Sequence, residues 1–438
     1  MANMFQAPRG TADVLPDKIG KWLYLEGKAM DTARLFGFEQ IRFPTFEDKA
    51  LFTRGVGETT DVVQKEMFTV THAGGKNEFA LRPEGTASTV RLLLQNGLKN
   101  EPMPQKLYYL TSCFRGERPQ AGRLREFHQF GVEMFGSEAP SADVEVIQLA
   151  HAFFDAVGLS DLRLEINSIG CPDCRKIYQQ ALRDYFAAQQ ESLCETCKDR
   201  LERNPMRILD CKSPECQKIT AGAPKVLDYI CDDCRAHFDA VKVQLTTLGL
   251  GFTVNPSIVR GLDYYTRTVF EFIDSKQGLT LCGGGRYDGL VEELGGSHLP
   301  ALGFGLGLER LMLTMEAAGC AFPEKPPATV YFVSIGDEAA KKAAQLAACC
   351  RAEGFAAEYD VMGRSVKAQM KYADKKGFIF TVVIGDNELE QNSATLKRMK
   401  TGEASIAALD KKFVDALYAA LRSEQLEELR DVCGELGK

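Results

Sequence analysis

The stretch Leu107–Phe135, LYYLTSCFRGERPQAGRLREFHQFGVEMF, constrains the fold of this chain more than any other. Two apolar runs, Leu107–Phe114 and Phe127–Phe135, flank a polar segment rich in Arg and Gly, the pattern of an antiparallel hairpin with a long loop. Side chains two apart on a strand share a face. Gln129, Gly131 and Glu133 therefore point one way, while His128, Phe130, Val132 and Met134 point into an apolar layer. A Gln and a Glu separated by a Gly make a candidate pocket floor, and Arg115, leaving the first strand, can reach over it. A carboxylate and a guanidinium facing one cavity suit a zwitterion or a phosphorylated amino compound. A partly solvated sheet face with a salt bridge has the same pattern.

A chain of 438 residues has room for about three domains. Its net charge of −7 argues against a generic polybasic nucleic-acid binder, though not against one that uses local basic patches. The first residues lack the apolar core of a signal peptide, and no run approaches the ~18–20 apolar residues of a membrane span. A cytoplasmic protein with no membrane partner is expected. The fourteen cysteines then point to metal binding or reduced thiols rather than disulfides.

Along the chain, residues 17–36 carry apolar residues at helical spacing, and Gly37 ends the run. FEQIRFPTFED places Pro44 inside a strand-like run, which suits an edge or interface strand. Residues 55–76 read as loops and a short hairpin. In FALRPEGTASTVRLLL a strand turns at Pro83-Glu84-Gly85-Thr86 into a helix with Thr86 as its cap. A helix over 141–157 and a strand over 162–166 follow.

Eight of the cysteines then fall in four pairs: Cys171 and Cys174, Cys194 and Cys197, Cys211 and Cys216, Cys231 and Cys234. The text between them is amphipathic and helical. Two such knuckles complete a four-thiolate zinc site, so four allow up to two closed, structural sites; sets of reduced thiols are the other reading. Strand-like text returns at Phe252, on both sides of Arg260-Gly261-Leu262-Asp263-Tyr264-Tyr265. Gly303, Gly305 and Gly307 alternate ahead of a helix that bears Arg310. Glycine at every second position clears one face of a strand, for a flat ligand such as a purine or for a close sheet-to-helix contact.

Beyond Pro323, Pro326 and Pro327 strands and helices alternate, the pattern of a small α/β domain with a largely parallel sheet. Strands are expected over 329–335, 355–360 and 378–384, and helices over 337–352 and 364–376. A hairpin turning at Thr401-Gly402 and a helix from 411 complete it. Arg364, Lys367, Lys371 and Lys375 line up as one basic stripe, either a solvated face or a phosphate-backbone contact.

Together these stretches resemble one family, the bacterial histidyl-tRNA synthetases of the antiparallel-sheet (class II) aminoacyl-tRNA synthetases. The resemblance covers nearly the whole chain. PRGTAD (residues 8–13) is similar to the family's N-terminal signature and the Pro44 strand to the first class motif, which implies a homodimer. FRGERPQAGRLREFHQFGVE resembles the second motif and GFGLGLER the third. Ile258-Val259-Arg260-Gly261-Leu262-Asp263-Tyr264-Tyr265 and CGGGRYDGL resemble the segments peculiar to histidine recognition. The implied architecture is an α+β catalytic domain with an antiparallel sheet in two parts (1–168 and 241–326), a small helical Cys-rich insertion (169–240), and a C-terminal α/β anticodon-binding domain with its tail (327–438). Many members lack the paired cysteines, so zinc rests on spacing alone.

The resemblance also implies a two-step reaction. L-histidine attacks the α-phosphorus of ATP, which carries Mg²⁺, to give histidyl-adenylate; the 3′ end of tRNA(His) then takes the histidyl group. Arg115 would hold the α-phosphate and the amino-acid carboxylate, Arg260 the α-phosphate from another side, and Arg310 the triphosphate tail, with Gly303, Gly305 and Gly307 under the nucleotide. Glu84, Thr86 and Gln129 would hold the α-ammonium; Glu133 and Tyr264, with Tyr265 nearby, would read the imidazole. Arg118, Gln120 and Arg123 would lie near the tRNA acceptor end. The alternative is a non-catalytic paralogue that serves as a regulatory subunit of histidine biosynthesis. Such paralogues typically lack the terminal domain and parts of the ATP-binding motifs, whereas this chain keeps Arg115, Arg260, Arg310 and that domain.

Overall fold

The computed structural model describes residues 5–422 apart from positions 59, 73, 76, 259 and 325. The chain forms two compact units, Met1–Pro323 and Glu324–Lys438.

The first unit begins with α1 (Ile19–Leu35), β1 (Glu39–Gln40), β2 (Phe46–Asp48), α2 (Lys49–Val56), β3 (Thr69–Val70), β4 (Phe79–Leu81) and α3 (Thr86–Gln95). The expected hairpin follows as β5 (Gln105–Phe114) and β6 (Glu126–Phe135), then α4 (Pro140–Ala156) and β7 (Leu162–Ser168). Four helices follow, α5 (Pro172–Ala187), α6 (Glu195–Arg203), α7 (Pro214–Thr220) and α8 (Asp232–Thr247), the last running past residue 240 with Phe238, Val241 and Leu245 buried in the main core. The unit closes with β8 (Thr253–Val254), β9 (Thr266–Asp274), β10 (Thr280–Arg286), α9 (Leu290–Glu293), β11 (Ala301–Gly307) and α10 (Leu308–Ala318).

Its main sheet runs β1-β5-β6-β11-β10-β9-β7-β8. The six inner strands are antiparallel, and a two-residue parallel strand sits at each edge. The apolar alternation of β6 explains the layering. Phe130, Val132 and Met134 are buried with Leu302, Phe304 and Leu306 of β11 against Val146, Ile147, Ala150 and Phe153 of α4. Each large side chain so buried contributes ~1.5–3 kcal/mol. The opposite face of β6 carries Gln129, Gly131 and Glu133, as the alternation requires.

Two local expectations are corrected. FEQIRFPTFED is not one strand: Pro44 has no N–H to donate, and the run breaks there into β1 of the main sheet and β2 of a separate three-stranded sheet, β2-β4-β3. Thr86 does not cap α3 with its side chain. The Glu84 carboxylate does so, accepting from the backbone N–H groups of Thr86 (2.7 Å) and Ala87 (2.9 Å). The helix α2 within the Pro44–Lys76 region was not anticipated; Asp48 caps it by accepting from the Ala50 N–H at 2.8 Å.

The second unit holds β12 (Val330–Ser334), α11 (Asp337–Ala352), β13 (Ala357–Tyr359), α12 (Val366–Lys376), β14 (Phe380–Ile384), α13 (Asp386–Gln391), β15 (Ser393–Arg398) and β16 (Ala404–Ala408). Its sheet order is β13-β12-β14-β15-β16, with β13, β12 and β14 parallel. The terminal helix spans 413–422, and the chain beyond it lies outside the described residues. The basic stripe is shorter than expected. α12 starts after Ser365, and Arg364 turns back to pair with the buried Asp360 at 2.5 Å and to stack on Tyr372. Lys367, Lys371 and Lys375 remain exposed on one helix face. Among the described residues no helix is long and apolar enough to cross a membrane.

Candidate active site

Register decides what the polar face of the main sheet can hold. One transverse row reads Tyr109, Gly131, Gly305, Gly283, Glu271 across β5, β6, β11, β10 and β9. Three adjacent strands thus lack side chains in that row, which leaves a trough across the sheet. Neighbouring groups lie over it. A Cβ at Gly131 would overlap the Tyr109 ring, one at Gly305 the Gln129 amide, one at Gly303 the Glu133 carboxylate and one at Gly283 the Arg260 guanidinium. A Cβ at Gly85, before α3, would overlap the same Tyr109 ring. The glycines that the sequence offered for a flat ligand therefore also make room for the site's own polar side chains.

Glu133 lies at the buried end of this trough. Three hydroxyls converge on its carboxyl: Thr86 Oγ1 donates at 2.8 Å, Tyr109 OH at 3.1 Å, and Tyr287 OH closes on the other oxygen. Burial raises its pKa and the hydroxyl donors lower it; burial wins, and the group is pushed up to about 8. Glu84, also buried, is raised by the same cause against its two helix-mouth hydrogen bonds. Tyr264 packs on Tyr265 and on Tyr287, with ring centroids 4.7 and 5.4 Å apart, forming an aromatic wall beside Glu133.

Two arginines border the site. Arg115 donates from Nε to the Pro83 carbonyl at 2.9 Å and lies over the Phe127 ring. Arg260 pairs with Glu271 and lies over Tyr265, while its buried Nε has no hydrogen-bond partner among the described residues. Burial works against its charge, yet Tyr265 and Glu271 hold its pKa above the ordinary value. Val259, just before it, lies outside the described residues. Arg310 donates to the Thr280 carbonyl at 2.7 Å and backs onto Gly122 of the hairpin loop. That loop, with Arg118, Gln120 and Arg123, lines a cleft of about 600 Å³ together with Lys65, Glu66 and Glu117. The histidines stay outside the trough: His128 pairs with Glu309 at 2.9 Å and His237 with Asp143 at 3.2 Å.

Tyr109 and Tyr287 were absent from the sequence-derived site. A signal for Tyr109 existed, since a large aromatic opposite a glycine in an antiparallel pair fills the space the glycine leaves. The long hairpin loop hid the register that reveals it. Tyr287 lies within CGGGRYDGL, but nothing in the spacing marks it off from a core tyrosine.

The cysteines of the insertion form two tetrads. Cys171, Cys174, Cys231 and Cys234 make one, and Cys194, Cys197, Cys211 and Cys216 the other; within each, all sulfurs lie within 4.8 Å of one another. None of these cysteines is in a disulfide. The sulfurs of Cys171 and Cys174 are 3.5 Å apart, those of Cys174 and Cys234 4.0 Å, and those of Cys194 and Cys211 3.8 Å. A tetrahedral ion with Zn–S bonds of ~2.3 Å requires neighbouring sulfurs ~3.8 Å apart, so the donor sets fit.

A family model described as "Histidyl-tRNA synthetase" matches residues 10–207 and 212–311, and one described as "Anticodon binding domain" matches residues 329–417. The chain is 49% identical to the histidine–tRNA ligase of Caldicellulosiruptor bescii over 92% of its own length and 96% of that protein. With the Acetivibrio thermocellus histidine–tRNA ligase the identity is 50%, over 92% and 97%. The solved structure of apo S. aureus histidyl-tRNA synthetase is 37% identical with a TM-score of 0.80, covering 94% of this chain and 100% of that one. With these matches over both units, the chain belongs to the histidyl-tRNA synthetase family.

Proposed function

We propose that the chain is a histidine–tRNA ligase: it activates L-histidine with ATP to histidyl-adenylate, releasing diphosphate, and passes the histidyl group to the 3′ end of tRNA(His). The observation that carries this reading is the buried Glu133 carboxyl, ringed by Thr86, Tyr109 and Tyr287 at one end of a glycine-lined trough over which Gln129 and Arg260 lie. An imidazole offers two ring nitrogens to such a carboxyl, with Tyr264 and Tyr265 beside it. An apolar isostere leaves those buried groups unpaired, which rejects it strongly without a separate editing site.

Glu84, Thr86 and Gln129 serve the α-ammonium. Arg115 clamps the amino-acid carboxylate and the α-phosphate, and Arg260 approaches that phosphate from the opposite side. Arginine suits both places because its fork stays charged and meets phosphate oxygens two at a time. Activation therefore needs no covalent intermediate on the enzyme: the carboxylate is held in line and the developing charge is met by fixed cations. Gly303, Gly305 and Gly307 underlie the nucleotide, Arg310 meets the triphosphate with its Mg²⁺, and the cleft beside Arg118, Gln120 and Arg123 admits the tRNA terminus.

The catalytic domain comprises residues 1–168 and 241–326 around the insertion 169–240, and residues 327–438 form the anticodon-binding domain. The enzyme works as a cytoplasmic homodimer joined through the Pro44 region, where Phe46 of β2 is 51% exposed. The two cysteine tetrads hold structural Zn²⁺, which leaves no open position for chemistry. The regulatory-subunit alternative is disfavoured by the retained arginines and by matches that cover 96% and 97% of two curated histidine–tRNA ligases. Charging of tRNA(His) with labelled histidine tests the proposal: ATP-dependent acceptor activity supports it, and histidine binding with no adenylate formation overturns it in favour of the alternative.

A further inference from the structure

The segment that follows Arg260 has little structure of its own. Residues 261–264 form bends and turns, yet this segment carries Tyr264 and Tyr265 into the site. The catalytic part holds them by packing the two rings with Tyr287 and Leu290 and by a hydrogen bond from the Asp263 N–H to the Val56 carbonyl at 3.2 Å. The insertion supplies further contacts to the turn. Arg207 donates to the Gly261 carbonyl at 2.6 Å and to Asp263 Oδ1 at 3.2 Å. Asn204 donates to the same Asp263 oxygen at 3.2 Å, and Arg175 to the Asp263 carbonyl at 2.9 Å. The insertion is further tied to the catalytic part through Arg200, which pairs with Asp61 at 3.2 Å.

Each of these donors lies close in sequence to a cysteine tetrad. Arg200, Asn204 and Arg207 all lie between Cys197 and Cys211, the two inner members of the second tetrad. That stretch is the end of α6 and a single 3₁₀ turn, Pro205–Ile208. Arg175 follows Cys174 of the first tetrad on α5. The tetrad sulfurs are in turn oriented by backbone donors: Cys231 N–H to Cys174 Sγ at 3.0 Å, Cys194 N–H to Cys216 Sγ at 3.3 Å, and Ser213 N–H to Cys211 Sγ at 3.4 Å. Such donors offset the negative charge of four thiolates on a divalent ion. The module is small, and its buried core includes Cys174, Cys197, Cys216 and Cys234 themselves. Without a staple a core of that size contributes little net stability. An ion in the second tetrad closes the Cys197–Cys211 stretch into a loop and fixes its donors before they meet Asp263.

Resting on the zinc reading above, we propose that the insertion binds two zinc ions, pairing its first knuckle with its fourth and its second with its third, and that the second ion acts as a positioning device for histidine recognition. It holds Asn204 and Arg207 against the Gly261–Asp263 turn and so sets the place of Tyr264 and Tyr265. Arg207 is a positioning residue in this scheme, since it reaches the turn and not the substrate.

Metal analysis of the full chain purified without chelator, together with pyrophosphate exchange, tests both layers. Native protein should carry two zinc ions per chain, and Cys211→Ser with Cys216→Ser should carry one. That variant should show a histidine KM raised about tenfold, the size expected for losing a charge-assisted hydrogen bond, with the KM for ATP unmoved. Because it could simply unfold the module, Arg207→Ala provides the second arm. It should keep both ions, raise the histidine KM alike and speed amide exchange at residues 260–266. A native chain folded without zinc refutes the metal reading. Two ions in Arg207→Ala with native histidine KM and native exchange at 260–266 overturns the positioning proposal while leaving the metal reading intact.

Discussion

Glu133 and Arg260 bear the most weight for single residues, and their environments say what each should do when changed. Glu133→Ala removes a carboxyl on which three hydroxyls depend, so histidine-dependent pyrophosphate exchange should fall ~100-fold or more, equivalent to about 2.7 kcal/mol, with the circular-dichroism spectrum unchanged. Near-normal exchange in that variant would rule the residue out as the imidazole reader. Arg260→Ala should lower turnover more than it raises the histidine KM; a pure KM effect would count against an α-phosphate role. The raised pKa of Glu133 also has a stability consequence. The folded state keeps its proton up to about pH 8, while the unfolded carboxyl releases it near pH 4–5. Its contribution is therefore full below the unfolded value and is lost as pH rises through that window, at up to ~1.4 kcal/mol for each pH unit. Glu133→Gln, which cannot ionise, should gain stability relative to the native protein between pH 5.5 and pH 8.5 in ligand-free melts. A difference in Tm that stays constant with pH would contradict the assignment.

The trough is a property of elements, because it needs β6, β11 and β10 in one register. Gly303→Ala would push a methyl into the Glu133 carboxylate and the Val132 carbonyl, an overpacking that costs ~1–3 kcal/mol, whereas a Cβ at Gly307 meets nothing within 4 Å among the described residues. The first substitution should lower Tm by several degrees and the second should not; equal effects would mean that the glycines serve the strand and not the side chains above it. At this scale the sequence was a good guide where periodicity dominates. The hairpin strands began and ended within two residues of expectation, and so did the alternating strands and helices after residue 329. It was a poor guide where a single side chain redirects the backbone. Pro44 split one expected strand between two sheets, and Asp360 drew Arg364 off the helix whose basic face it was expected to extend. Glu84 was legible as a polar residue at a helix mouth and Glu133 as one on a strand face. Tyr109 was not, because its position depends on a cross-strand register that no local pattern encodes. Lys367, Lys371 and Lys375 still share one exposed face of α12. Replacing Lys367, Lys371 and Lys375 together by Ala should weaken tRNA binding and flatten its salt dependence by ~0.7–0.9 in log–log slope for each lysine that meets a phosphate. Unchanged affinity across salt concentrations would make the stripe a solvated face.

Across the whole molecule, the two units divide the labour: a mixed sheet with a polar trough in one, and a small α/β body with an exposed basic helix in the other. The exposed Phe46 beside the Pro44 bend predicts that Phe46→Glu shifts sedimentation from dimer toward monomer and lowers activity with it; a variant that stays dimeric would place the interface elsewhere. The central claim is that the trough recognises histidine through Glu133 for activation by ATP. Pyrophosphate exchange measured with each of the twenty amino acids tests it most directly. Exchange should appear with histidine alone and vanish in Glu133→Ala. Exchange with another amino acid, or none with histidine in a folded protein, would contradict the account.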